Sequence, residues 1–249
     1  MSDTLQTRID AGILHVTFNR PEKKNAFTHA MYTRAADALE GAATDARVRV
    51  VLLQGAGGSF TAGNDLGDFL ENPPTGEDSA VFRFLRALIA LDKSVVAAVE
   101  GAAVGIGTTM LLHCDYVAAS ERTRFALPFV NLGLVPEAAS SLLLPRVAGH
   151  ALASELLLFG EPFDAATALR AGLVNRVLAP EALAAHALER AQALAQKPTQ
   201  ALQLSKRLLR APLREAVGEA LRREGAEFVA RLGSDEAREA FVSFMSRKK

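Results

Sequence analysis

Chemistry is legible in three short turns: Ala62-Gly63-Asn64-Asp65, Val104-Gly105-Ile106-Gly107 and Gly133-Leu134-Val135-Pro136-Glu137. Each exposes backbone N–H groups, through a tight bend or at the start of a helix. The first two can aim N–H groups at an oxygen on which negative charge develops, and the third can set a carboxylate beside it. That is an acid/base constellation. Glu137 has a plainer use as an acid at a helix N-terminus, where the macrodipole favours it by roughly 0.3–1 kcal/mol, and pattern alone leans that way. Asp65 also has two uses. Its side chain can bond the turn's own N–H groups, as Asx residues commonly do, or it can touch a ligand.

Other chemistries fail on spacing. Gly105-Ile106-Gly107 follows a strand and opens a helix, as a dinucleotide-binding turn does, but Met110 stands where the third glycine belongs. No Gly-Lys-Ser/Thr follows the glycines of 55–63, which excludes a phosphate-cradling P-loop. His15, His29, His113, His150 and His186 are scattered, and the single Cys114 allows neither an intramolecular disulfide nor a Cys-rich zinc site, so no metal is expected. No Gly-x-Ser-x-Gly elbow surrounds Ser59, Ser140 or Ser141, against covalent serine catalysis.

The elements that must position these turns follow from periodicity. ILHVTF (13–18), VRVVLLQG (48–55), SVVAAVEG (94–101), DYVAAS (115–120) and LVNRVL (173–178) read as strands. Thr28 can cap a helix in which Met31, Ala35, Ala38, Leu39 and Ala42 share a face, and Asp164 can cap a short one ending at Gly172. Another helix is expected to begin near Glu137. Residues 68–80, with Asn72, Pro73, Pro74 and Gly76, have the composition of a mobile connection suited to a lid, ahead of a helix over 81–91. From Pro180 the pattern is helical: 181–196, 199–210, 213–232 and a last helix from a Ser234 cap to about 245. Leu213, Val217, Leu221, Phe228, Val229, Phe241, Val242 and Phe244 carry more apolar surface there than a solvated tail needs.

Composition bounds the function class. The 28 Lys and Arg balance 28 Asp and Glu, with no basic run, so nucleic acid is not an expected partner. With 49% hydrophobic and 22% charged residues the chain has the makeup of a folded globular protein. No run of about eighteen apolar residues and no basic-then-apolar leader occurs, which reads as cytoplasmic, without membrane insertion.

NRPEKKNAF, SFTAGNDL, VVAAVEGAAVGIGTTMLLHCDYVAAS, FALPFVNLGLVPEAASSLLLPRVAG and ALRAGLVNRVL, in this order and spacing, resemble the enoyl-CoA hydratase/isomerase superfamily, the crotonases, from about residue 5 onward. The resemblance implies an α/β fold. A spiral of repeated β-β-α turns would occupy 1–195, and 196–249 would form a helical region serving trimer assembly, giving a homotrimer or a dimer of trimers. It also implies an acyl-CoA thioester as substrate, with coenzyme A part of that substrate and no separate cofactor. The thioester oxygen would be held by the N–H groups of Asn64 and Ile106. Backbone atoms of Lys24, Ala26, Ala62, Asn64 and Leu66 would run along the coenzyme, with Asp65 and Phe129 beside the substrate. The Lys24 ammonium is either a phosphate partner or simply solvated.

The branch of the family turns on carboxylates. The hydratases use two glutamates at positions that here hold Thr109 and Phe129, and neither side chain can act as a base. The Δ3,Δ2-enoyl-CoA isomerases carry one glutamate at the Leu-Val-Pro-Glu turn, which is Glu137. Phe129, Leu132, Leu134 and Leu143 are expected to raise its pKa. The implied activity is therefore isomerisation, with hydration by Glu137 alone, or a non-catalytic acyl-CoA-binding trimer, as the alternatives.

Overall fold

Strands without a single charge, such as the fully buried SVVAAV of 94–99, belong inside a sheet covered on both faces. The structure, a computed structural model, describes residues 4–76 and 78–246. The last three residues of the 196–249 region lie outside the described residues, as does the side chain of Phe244. In chain order, β1 (Leu5–Asp10) and β2 (Ile13–Phe18) are followed by α1 (His29–Thr44), β3 (Val50–Gly55), α2 (Leu66–Glu71) and α3 (Ala80–Ala90). Then come β4 (Ser94–Val99), β5 (Ala102–Val104), α4 (Ile106–Thr109), β6 (Tyr116–Ser120), β7 (Arg124–Ala126), α5 (Ser140–Ala148) and α6 (His150–Ser154). β8 (Phe163–Asp164), α7 (Ala165–Arg170) and β9 (Arg176–Leu178) lead to α8 (Pro180–Ala195), α9 (Thr199–Arg210), α10 (Arg214–Leu232) and α11 (Asp235–Ser246).

One sheet has the order β1-β2-β3-β4-β6-β9, parallel throughout except for β1. β5, β7 and β8 form a second, smaller sheet. Each pass of the chain visits the large sheet, touches the small one and then turns into helix. β4, β5 and α4 make one pass, and β6 and β7 begin another. β3 makes the earliest through Thr61, which bridges to Ala103 before α2. This is the spiral α/β fold that the motifs imply. Alternation along the strands splits the core. Val51, Leu53, Val95 and Ala97 face Leu39, Phe84 and Leu88 of α1 and α3. Val50, Leu52, Val96 and Ala98 face Leu183, Ala187 and Ala191 of α8.

Several sequence expectations shift. Residues 68–71 of the expected mobile connection belong to helix α2, because Asp65 caps it by accepting from Gly67 N–H (3.1 Å) and Asp68 N–H (3.3 Å). Thr28 and Asp164 cap as expected, accepting from Met31 N–H (3.3 Å) and Thr167 N–H (2.8 Å). The helix expected near Glu137 begins at Ser140, since Ala138 and Ala139 take left-handed φ values of 59° and 56° that no helix contains. Of the apolar tail residues, Val217, Leu221, Phe228 and Phe241 are buried within the chain itself, the last three in its main core. Among the described residues, no helix is long and apolar enough to cross a membrane.

Candidate active site

Three segments lie side by side. Thr61 N–H donates to Ala102 C=O (2.9 Å) and Val104 N–H donates to Thr61 C=O (3.0 Å), stitching the 61–65 turn along β5. On the turn's other edge Ala62 N–H donates to Lys24 C=O (2.9 Å), Phe27 N–H to Gly63 C=O (2.7 Å) and Asp65 N–H to Phe27 C=O (2.8 Å). Glycine permits the approach. Gly63 has φ +86°, and a Cβ there would stand 2.8 Å from Val104 O. Gly105, at φ 55° and ψ −118°, turns β5 into α4 through backbone angles that a Cβ resists.

The stitching leaves the amides of Asn64 and Ile106 over. Gly63 N–H donates to Thr61 Oγ1 (3.1 Å), Asp65 N–H to Phe27 and Gly105 N–H to Ala126 C=O (2.9 Å). Among the described residues, the N–H groups of Asn64 and Ile106 have no such partner. Both residues line a cavity of about 590 Å³. Glu137, Lys24, Ala26, Ala62, Asp65, Leu66 and Phe129 line it too, so the fold brings these expected residues to one cavity.

Glu137 enters this cavity from the segment between a 3-10 turn, Val130–Leu132, and α5. Its carboxyl is buried, and Oε1 has no hydrogen-bond partner among the described residues. Burial first, and then the negative charge of Glu224, push its pKa up to about 8. Thr109 alone opposes the rise, as the smallest of the three influences, and its buried Oγ1 meets no partner at good hydrogen-bond geometry. Phe129, Leu132 and Leu134 supply the apolar wall, as expected. Leu143 does not: it packs with Ala139, Val217 and Ala220 in a separate cluster. Phe129 lies beyond β7, at the start of the 3-10 turn.

Asp65 is occupied. Besides capping α2, it accepts from Arg20 Nη1 at 2.6 Å. Burial pushes its pKa up, but Arg20 and the N–H groups of Asp68 and Gly67 together hold the carboxyl below its ordinary value. Lys24 is exposed, in a left-handed conformation, and its carbonyl is committed to Ala62. Tyr32, buried on α1, donates its hydroxyl to Asn64 Oδ1, and burial followed by the Glu137 charge pushes its pKa up. Sequence reasoning missed Tyr32 and Glu224, and it gave Phe228 and Phe241 no place in the site, although both line the cavity. A signal for Glu224 was present. It falls on the apolar face of α10 with Val217, Leu221 and Phe228, where an acid has no solvent to justify it.

Comparison with known proteins follows the same outline. The family described as enoyl-CoA hydratase/isomerase matches over residues 8–249. The chain is 36% identical to human enoyl-CoA delta isomerase 2 over 99% of its own length and 64% of that protein's. It spans 62% of the rat enoyl-CoA delta isomerase 2 at 38% identity, so it covers less than two thirds of either relative. It is 34% identical to the 2,3-dehydroadipyl-CoA hydratase of Escherichia coli (strain K12), covering 100% of this chain and 97% of that one. Among solved structures, OdaA of Pseudomonas aeruginosa is similar at a TM-score of 0.95 and 46% identity, over 98% of this chain and 99% of that one.

Proposed function

Because the chain belongs to the enoyl-CoA hydratase/isomerase family, we propose that it is a Δ3,Δ2-enoyl-CoA isomerase in which Glu137 shuttles the proton. One observation carries this most directly. Glu137 is a buried carboxyl with an uncommitted oxygen, in the wall of the cavity that also holds the unpartnered N–H groups of Asn64 and Ile106. Moving a 3,4 double bond to the 2,3 position removes a proton from C2, which is acidic because it lies between the thioester carbonyl and the alkene. The proton is then returned at C4. A single carboxyl within reach of both carbons acts as base and then as acid. The dienolate between the two steps carries its charge on the thioester oxygen, and Asn64 and Ile106 N–H are the donors for it, each worth about 2.7–4 kcal/mol. A pKa of about 8 suits the double role: enough carboxylate forms near neutrality to take the proton, and the acid form holds it for return.

The coenzyme would lie along Lys24, Ala26, Ala62 and Leu66, with the Lys24 ammonium free to meet a phosphate. Phe129 and Asp65 would flank the substrate, Asp65 chiefly by holding the turn. No separate cofactor is required, and a cytoplasmic role in fatty-acid or related acyl-CoA degradation is the setting that suits this chemistry. Hydration is the second reading, favoured by the near full-length similarity to a hydratase. Against it, Thr109 and Phe129 offer no carboxylate to orient a water at C3. Ultraviolet absorbance separates the two, because conjugation appears when 3-hexenoyl-CoA is isomerised and disappears when crotonyl-CoA is hydrated. Hydration is expected to be at least about a hundredfold slower than isomerisation, and comparable rates would overturn the isomerase assignment.

A further inference from the structure

Glu224 is buried at 6% exposure on α10, and a carboxyl in such a place needs partners. Its partners belong to the segment directly after Glu137. It accepts from Ala139 N–H (2.6 Å), from Ser141 N–H (2.9 Å) and from the Ser141 hydroxyl. The carboxylate thus replaces the side-chain cap that Ala139, at the start of α5, cannot supply. From another side His113 Nε2 lies 2.7 Å from Ala138 C=O, a contact in which the ring nitrogen donates. Between these two anchors sit Ala138 and Ala139, consecutive non-glycine residues in the left-handed region. Such a turn persists only where its surroundings over-determine it. Behind Glu137, Leu221, Gly225 and Phe228 of α10 close on Val81, Phe82 and Leu85 of α3 around a void of only about 10 Å³.

We propose that Glu224 is a positioning residue for Glu137: it fixes the left-handed turn that presents the acid/base carboxyl to the cavity and stands behind that carboxyl as a second buried negative charge. This rests on Glu137 being the proton shuttle. The groups facing Glu137 are Tyr32 from α1, Thr109 from α4 and Glu224 from α10, while α3 offers only apolar side chains. Burial pushes Glu224's own pKa up, and the Ser141 hydroxyl, the N–H groups of Ser141 and Ala139 and the charge of Arg223 on its own helix oppose this and favour the carboxylate. Its charge is second only to burial in pushing Glu137 up, which is the effect a repositioned or neutral Glu224 would lose.

Two measurements on Glu224→Gln test this: kcat and KM for 3-hexenoyl-CoA across pH, and a substrate-free infrared titration of the carboxyl band that Glu137→Gln removes. The expected result is a Glu137 midpoint lower by about one pH unit, with kcat down at least about tenfold and KM within about threefold. Glu224→Asp keeps the charge and should restore the midpoint and part of kcat. If Glu224→Gln does not fold, Glu224→Met removes the same charge and carries the same expectations. An unmoved midpoint in the charge-removing variant overturns the proposal, whatever happens to kcat. A wild type that isomerises nothing while its infrared midpoint still depends on Glu224 would sink the isomerase assignment and leave the coupling of the two carboxyls standing.

Discussion

Glu137→Gln keeps the volume of the side chain and removes the base, so isomerisation should fall by more than a factor of about 10², while acyl-CoA affinity changes little. Steady-state kinetics with a separate binding titration checks both, and retention of more than about a tenth of kcat, under about 1.4 kcal/mol, would rule out an essential shuttle. In the wild type, kcat/KM should climb with pH and level off above about 8, since only the ionised carboxyl takes the C2 proton. The same group sets a stability trend. Its folded pKa is raised from 4.5, so the native state holds the proton more tightly, and stability is lost as pH rises from about 4.5 through 8. His113 acts in the opposite range. Burial, with Arg210 and Lys206 nearby, pushes it down to about 4 despite its bond to Ala138, so stability is lost as pH falls from 6.5 toward 4. Chemical denaturation at a series of pH values should show a maximum between these flanks. Glu137→Gln should flatten the alkaline flank and His113→Gln the acid one.

At the scale of elements, the unpartnered N–H groups of Asn64 and Ile106 stand together because the 61–65 turn and β5 touch backbone to backbone at Gly63. Gly63→Ala adds a Cβ 2.8 Å from Val104 O at a positive φ, so the turn must move or strain. The expected cost is about 1–3 kcal/mol of stability, with kcat/KM down about 10²-fold or more as one donor leaves its place. Thermal melting and kinetics measure the two effects separately, and activity within about threefold of wild type would show that the close approach does not set the donors. Helix α9 carries a different message. Its one buried residue is Lys206, whose Nζ donates to Lys93 C=O and Asp115 Oδ2, both at 2.6 Å, and Arg210 joins the same aspartate. Its leucines 204, 208 and 209 face outward. The helix is docked inside out, polar side to its own core.

For the whole molecule, that reversal is the feature that points to assembly. Three leucines exposed on α9 are more apolar surface than one helix of a monomer has reason to show, and Val242 on α11 is exposed as well. A solution mass near three or six times 26.5 kDa is expected by light scattering. Leu204→Glu with Leu208→Glu should lower it while leaving the docking of α9 through Lys206 and Arg210 intact. A monomer at micromolar concentration in the wild type would remove the trimer from consideration.

Much of this protein is legible from local rules. The fully apolar runs had to be strands covered on both faces, Thr28 and Asp164 had to cap helices, and the Gly-bounded turns had to expose N–H groups, because each depends only on neighbours a few residues away. The motifs in order implied the spiral and singled out Asn64, Ile106 and Glu137, which line one cavity. Short strands such as β5 and β7 escaped notice because three residues give no periodicity, and they exist only by pairing with each other, with β8 and with Thr61. α2 was hidden because an Asx cap and six residues look like loop until the Asp65 side chain is seen to bond Gly67 and Asp68. Phe228, Phe241 and Glu224 joined the site only in three dimensions. Helical periodicity says that a face is buried but not against what, and that choice is made by the packing of α10 and α11 onto a core assembled from residues far away in the chain.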